Sequence, residues 1–181
     1  MERFFYIIGK FFYIYKTRCW EEKMSVENVR EYLKQFGKDK DILEMDESTA
    51  TVELAARALG TEEARIAKSL SFYNNSDAMI IVVAGDAKVD NKKFKEKFGF
   101  KARMLAHEDT VKFTGHAIGG VCPFDLPDNV DVYLDESMKR FKTMFPACGS
   151  SNSAIELTLE ELEKTSGSKE WVDVCKSVLF Q

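Results

Sequence analysis

The run Ala78-Met79-Ile80-Ile81-Val82-Val83-Ala84 constrains the fold more than any other part of the 181-residue chain. It is apolar throughout and β-branched at its centre, so a strand made from it has no polar face and must be covered on both sides. Before it come Ile66-Ala67-Lys68-Ser69-Leu70-Ser71-Phe72-Tyr73 and the turn-forming Asn74-Asn75-Ser76-Asp77. That order predicts an antiparallel hairpin whose second strand lies deep in a sheet.

The flanking segments supply helices and further strands. A helix opens at Ser25, carries Val26, Val29, Leu33 and Phe36 on one stripe, and stops at Gly37. Asp41–Asp46 reads as a short strand, Glu53–Leu59 as a helix ended by Gly60, and Thr61 as the cap of a further turn. Asp90 caps a basic helix, Asn91–Phe98, and Lys101–Leu105 is expected to be a strand. Glu108–Phe113 is expected as a short helix and Val130–Leu134 as a strand, with Asp135 capping the next turn. Thr143–Cys148 and Ala154–Leu157 follow as strands, then helices over Leu159–Lys164 and Lys169–Leu179, the last capped by Ser168. Strands outnumber long helices and connections vary, so the expected class is a single α/β domain with a mixed sheet.

Composition narrows the function. Hydrophobic residues make up 45% and charged residues 31%, a soluble globular balance, and no run reaches the roughly 18 apolar residues of a membrane span. A net charge of −4 argues against broad nucleic-acid binding but leaves room for a local basic pocket. Cys19, Cys122, Cys148 and Cys175 are far apart and form no C-x-x-C pair; with only His107 and His116 beside them, no metal site is expected. Free thiols fit a reducing cytoplasm. Residues 1–23 are unlike the rest, with Phe4, Phe5, Tyr6, Ile7, Ile8, Phe11 and Phe12 interrupted by Lys10. They lack the cleavage site of a signal peptide. The favoured reading is an upstream start codon, with the domain proper at 24–181; a membrane-surface segment or an added element are the alternatives.

Three segments could carry chemistry. Thr114-Gly115-His116-Ala117-Ile118-Gly119-Gly120-Val121-Cys122-Pro123-Phe124 gathers three of the ten glycines, and such a loop lets main-chain N–H groups close on an oxyanion or carbonyl. It fits neither a Walker loop nor a dinucleotide fingerprint. A tight turn would account for it equally well. Lys68 shares strand parity with Ile66, Leu70 and Phe72, opposite Ala67, Ser69 and Ser71. An ammonium there needs an anion or a route to water, which a ligand phosphate or simple snorkelling would provide. Cys148-Gly149-Ser150-Ser151-Asn152-Ser153 reads as a polar turn or as a second wall of the same pocket. His116 as a base and Cys122 or Cys148 as nucleophiles are weaker candidates, because no His–Asp arrangement accompanies them.

Five segments in order resemble the YbaK/EbsC-like family, related to the editing domain inserted in bacterial prolyl-tRNA synthetases. They are Thr49-Ala50-Thr51-Val52-Glu53-Leu54-Ala55-Ala56, Ile66-Ala67-Lys68-Ser69-Leu70, Gly85-Asp86-Ala87-Lys88-Val89-Asp90, the Thr114–Phe124 loop, and Cys148-Gly149-Ser150-Ser151 before Ile155-Glu156-Leu157. The resemblance implies a compact α/β domain with a barrel-like mixed sheet and flanking helices. It implies a free-standing deacylase acting on the aminoacyl-tRNA 3′ end, typically tRNA-Pro carrying alanine or cysteine, with no cofactor, metal or covalent nucleophile. A prolyl-tRNA synthetase is the partner it raises. By the same resemblance Lys68, Gly119 and Gly120 are the catalytic set, and Gly115, His116, Ile118, Gly149, Ser150 and Ser151 bind substrate. Asp125 departs from a glycine that many members carry, Ala147 from a serine of some cysteine-specific ones, and His116 stands at a variable position. A non-catalytic binder of aminoacyl-tRNA ends or aminoacyl adenylates would use the same pocket.

Overall fold

The computed structural model describes residues 26–176. The N-terminal extension, the Ser25 cap and Cys19 lie outside the described residues. In chain order the elements are α1 (26–34), β1 (Leu43–Glu44), α2 (Val52–Leu59), β2 (Ile66–Asn74), β3 (Asp77–Ala84), α3 (Asn91–Phe98), α4 (His107–Thr114), β4 (Val130–Asp135), β5 (Thr143–Pro146), β6 (Ser153–Ala154), β7 (Leu157–Thr158), α5 (Leu159–Ser166) and β8 (Glu170–Val172).

β3 lies inside the sheet as its sequence requires, and every residue from Ala78 to Ala84 is buried. The strand order is β7-β5-β2-β3-β4-β8. The β2–β3 hairpin is antiparallel with Lys68 opposite Val83 and Asn74 opposite Asp77, while β5 joins β2, β4 joins β3 and β8 joins β4 in parallel. This is the expected mixed α/β sheet. Helix caps follow the local chemistry: Asp90 accepts from Lys92 N and Lys93 N, and Thr158 forms a capping box with Glu161. α3 covers the face of β2 that carries Phe72, through Phe94 at 5.1 Å between ring centroids.

One irregularity positions the site. β5 pairs only with Ile66 and Ala67 of β2. Farther along, Leu105 N donates to Ser71 O and Tyr73 N donates to Arg103 O, each at 2.9 Å, around a single Phe72–Met104 bridge. Between Ala67 and Ser71 the outer edge of β2 therefore has no neighbouring strand among the described residues. Lys68 and Ser69 stand in that gap.

Several expected elements change. The Lys101–Leu105 strand shrinks to the bridge at Met104. The Ala154–Leu157 strand divides between two sheets, Ser153–Ala154 pairing with β1 and Leu157–Thr158 with β5. Asp41–Asp46 keeps only Leu43–Glu44 as strand. Glu62, not Thr61, holds the cap position of the 3-10 turn Glu63–Arg65. The Lys169–Leu179 helix is overturned in its first half: Glu170–Val172 is a strand parallel to β4. The physical reason is the open edge of β4. Lys169 N donates to Val132 O at 2.8 Å, and the buried Asp135 carboxylate accepts from Val174 N at 2.9 Å, which fixes this segment as strand despite its helical pattern.

Candidate functional site

A cavity of about 260 Å³ fills the gap beside β2. Its walls come from α2 (Val52, Ala55), β2 (Lys68, Ser69), β5 and the residue after it (Phe145, Ala147), and the loop residues Ile118 and Gly119. Small side chains dominate, and two of the three polar residues that β2 contributes, Lys68 and Ser69, sit where the strand edge is unpaired.

Lys68 is half-buried, and its Nζ donates to Gly85 O at 2.9 Å and Ala87 O at 2.6 Å. An ammonium has three N–H donors, so one remains for a ligand. Burial lowers the Lys68 pKa from its ordinary value, partly offset by the negative groups around it, Asp86 and Glu53 among them. Lys68 makes no ion pair with a carboxylate among the described residues. Its two carbonyl acceptors flank Asp86, which Arg140 grips through both guanidinium nitrogens, Nη1 to Oδ2 at 3.0 Å and Nη2 to Oδ1 at 2.5 Å. Arg140 is itself fixed by Nε donating to Ser137 O at 2.8 Å. Gly85 has no room for a side chain, since a Cβ there would lie 1.9 Å from Glu63 O.

The glycine wall is built by contact. Gly119 has φ 92, a backbone region that favours glycine, and a Cβ would meet Ala50 Cβ at 3.1 Å. A Cβ on Gly120 would lie 2.7 Å from the Gly149 carbonyl and Ser150 Cα. The two small-residue loops thus touch, backbone against backbone. The second loop is also pinned from the 45–49 segment: Thr49 N donates to Ser151 O at 2.5 Å, and Met45 N to Asn152 O at 2.8 Å. Ser150 is buried with its hydroxyl spent inside its own turn, donating to Asn152 Oδ1 at 2.8 Å and paired with the Ser153 hydroxyl, also at 2.8 Å.

The structure brings together Lys68, Ile118 and Gly119 around the cavity, with Gly120, Gly149, Ser150 and Ser151 as the layer behind Gly119. It separates Gly115 and His116 from them. Gly115 ends α4 in the left-handed conformation, its N–H bonded to Val111 O, with open space around it. His116 is 2% exposed and turned into the core. Its Nε2 lies 2.9 Å from Phe124 O, which requires that nitrogen to donate, and burial lowers its pKa. Cys122 and Cys148 are fully buried; burial pushes the Cys122 thiol up to about 12 and Cys148 well above its usual value. Neither has the lowered pKa of an activated nucleophile. Asp125 adopts φ 51, the backbone shape a glycine at that position takes without strain.

Sequence reasoning missed two wall residues. In the sequence Ser69 is only one of the small side chains on the parity opposite Lys68. Its Oγ is shielded from solvent and has no hydrogen-bond partner among the described residues, an unspent donor beside the cavity. Met104 is 59% exposed at the cavity edge, and nothing in its local sequence marks it.

A mixed-sheet α/β domain with an ammonium and a glycine-bearing loop lining one small cavity is the type of protein these features define. The family profile described as the aminoacyl-tRNA editing domain matches residues 46–165, and the chain belongs to that family, in its YbaK/EbsC-like branch. Uncharacterized protein YwhH of Bacillus subtilis is 56% identical over 154 residues, spanning 84% of this chain and 98% of its own. EbsC of Enterococcus faecalis, provisionally named a Cys-tRNA(Pro)/Cys-tRNA(Cys) deacylase, is 29% identical over 118 residues, 64% of this chain and 72% of that one. A solved structure described as a candidate trans-editing enzyme for prolyl-tRNA synthetase superposes with TM-score 0.76 at 29% identity, covering 84% of this chain and 98% of that one. Among the described residues no helix is long and apolar enough to cross a membrane, and no cluster of His, Cys, Asp or Glu side chains could hold a metal.

Proposed function

We propose that this protein is a cytoplasmic trans-editing deacylase that hydrolyses the ester between a small wrong amino acid, alanine or cysteine, and the terminal adenosine of tRNA-Pro. The observation that carries the reading is that Lys68 and Gly119 line one small cavity. The remaining Lys68 N–H anchors a phosphate or ribose hydroxyl of the RNA end. The Gly119 backbone faces the aminoacyl carbonyl, with Gly120 packed behind it against the 149–150 loop. A cavity of about 260 Å³ is below the roughly 300–1,000 Å³ of drug-sized pockets, which suits a small acyl group.

The chemistry is then positioning and electrostatics on an already labile ester. Water attacks the carbonyl carbon, the ester C–O bond breaks, and the ribose oxygen leaves with a proton. No thiol among the described residues suits the role of nucleophile, because Cys122, Cys148 and Cys175 are all buried with raised pKa values. Prolyl-tRNA synthetase, the source of mischarged tRNA-Pro, is the expected partner. A panel of mischarged tRNAs incubated with the purified protein tests the reading. Rapid release of alanine or cysteine from tRNA-Pro, with prolyl-tRNA-Pro spared, is the expected result. Equal stability of every ester with and without protein would overturn it in favour of a binder.

A further inference from the structure

A second depression of about 310 Å³ lies on the α3 side of β2, and it shares two residues with the cavity, Lys68 and Met104. The Phe72–Met104 bridge puts Met104 on the strand face that carries Lys68, Leu70 and Phe72, because directly paired residues project to the same side. Leu70, Phe72, Val89 and Ala102 make an apolar floor, and Asn91 stands on the rim. Met104 is the ridge between the two depressions, and a 59% exposed methionine there is an unsatisfied contact surface. The Asn91 side chain is exposed and makes no hydrogen bond among the described residues.

We propose that this groove is a nucleobase subsite for the terminal adenine of the RNA end, with the ribose over Lys68 and the aminoacyl ester in the cavity. The proposal rests on the deacylase reading for the identity of the nucleoside. The cavity is too small for an aminoacyl group and a whole nucleoside together, so the base must lie outside it, and the groove is the adjoining recess on the far side of the anchoring lysine. A flat base against Leu70 and Val89 buries apolar surface on both, and the Met104 thioether makes favourable contact with an aromatic ring. A carboxamide presents one acceptor and two donors, the pattern that pairs with adenine N6 and N7. Asn91 is thus the residue that selects adenine over other bases, and Met104 the one that holds any base.

Titration of the isotope-labelled full chain with adenosine 5′-monophosphate and cytidine 5′-monophosphate tests this without requiring turnover. The expected result is perturbation of the amides of Val89, Asn91, Ala102 and Met104, stronger for the adenosine compound. Met104→Ala should weaken both nucleotides by roughly three- to tenfold, and Asn91→Ala should erase the preference for adenosine. Thermal unfolding checks that both variants remain folded. Binding in the groove without hydrolysis of any mischarged tRNA sustains the subsite and sinks the deacylase reading. Hydrolysis of alanyl-tRNA-Pro at the wild-type rate by both variants overturns the subsite and leaves the deacylase reading standing. Perturbations confined to residues away from β2 and α3 overturn the subsite as well.

Discussion

Lys68 and Gly119 line one cavity, with Gly120 packed behind Gly119, but the two walls are held in different ways. Lys68 places its charge at the end of a flexible stem, and two carbonyl groups of the 85–87 turn fix it by hydrogen bonds. The glycine turn has no functional side chain at all. It is fixed by contact, with Ala50 and the 149–151 loop occupying the volume that side chains would need. Under the proposed function, the contribution of the lysine wall resides in one atom and can be deleted with little disturbance. That of the glycine wall resides in a backbone shape, so changing it would disturb fold and function together.

Gly120→Ala should have the largest effect and most directly tests that contrast. Its Cβ would meet backbone atoms of Gly149 and Ser150 at 2.7 Å, and neither can step aside as a side chain would. Overpacking of this kind costs about 1–3 kcal/mol, so thermal unfolding should fall by several degrees and deacylation should fall with it. A variant with wild-type melting and wild-type turnover would show that the two loops are not in contact.

Lys68→Ala should separate the two properties. Deacylation should drop by about a hundredfold or more in kcat/KM, the scale of losing an electrostatic anchor, while stability changes by no more than about 1–2 kcal/mol. The pH dependence has a definite sign. The ammonium is the working form and is present below its pKa; because burial lowers that pKa, protein-dependent hydrolysis should decline at a lower pH than an ordinary lysine, near about 10.4, would dictate. The ratio of rates with and without protein is the quantity to follow, since hydroxide cleaves the ester unaided. A ratio that stays flat to about pH 10.4 would remove the charge from the mechanism.

Arg140→Ala loosens the lysine wall one step back. Asp86 sits between the two carbonyls that hold Lys68, so losing its bidentate clamp should cost about tenfold in kcat/KM. Arg140→Lys should restore only part of that, because a single ammonium cannot reproduce the fork. Equal activity in both variants would mean that the turn keeps its shape unaided.

Ser69→Ala should be the mildest change. The hydroxyl is buried without a partner, so its removal should leave thermal unfolding unchanged or slightly raised. If substrate supplies the missing partner, turnover falls several-fold nonetheless; unchanged turnover would assign Ser69 to neither wall.

Much of this was legible in the chain itself. The apolar run at Ala78–Ala84, the Asn74–Asp77 turn and the caps at Asp90 and Asp135 are local signals, and local physics was enough to place them. Lys68 was conspicuous because an ammonium at its parity needs an anion or a route to water, but snorkelling would answer that equally, and only the resemblance marked it as a site residue. The glycine-rich loop was legible as one motif but not as two parts. Whether a glycine serves a helix end, as Gly115 does, or a close approach, as Gly120 does, depends on what lies opposite it, here residues 149–150.

By itself, then, the sequence determined the central hairpin, the mixed α/β class and the residue types available to a pocket, since period, propensity and capping act over a few neighbouring residues. Tertiary structure alone decided that residues 170–172 become a strand, that β5 and the 103–105 segment leave Lys68 and Ser69 in a gap, and that His116 points inward. Those outcomes depend on which strand edge is vacant and which backbone crosses which. Such contacts join residues far apart in the chain, and no short window of sequence contains both partners.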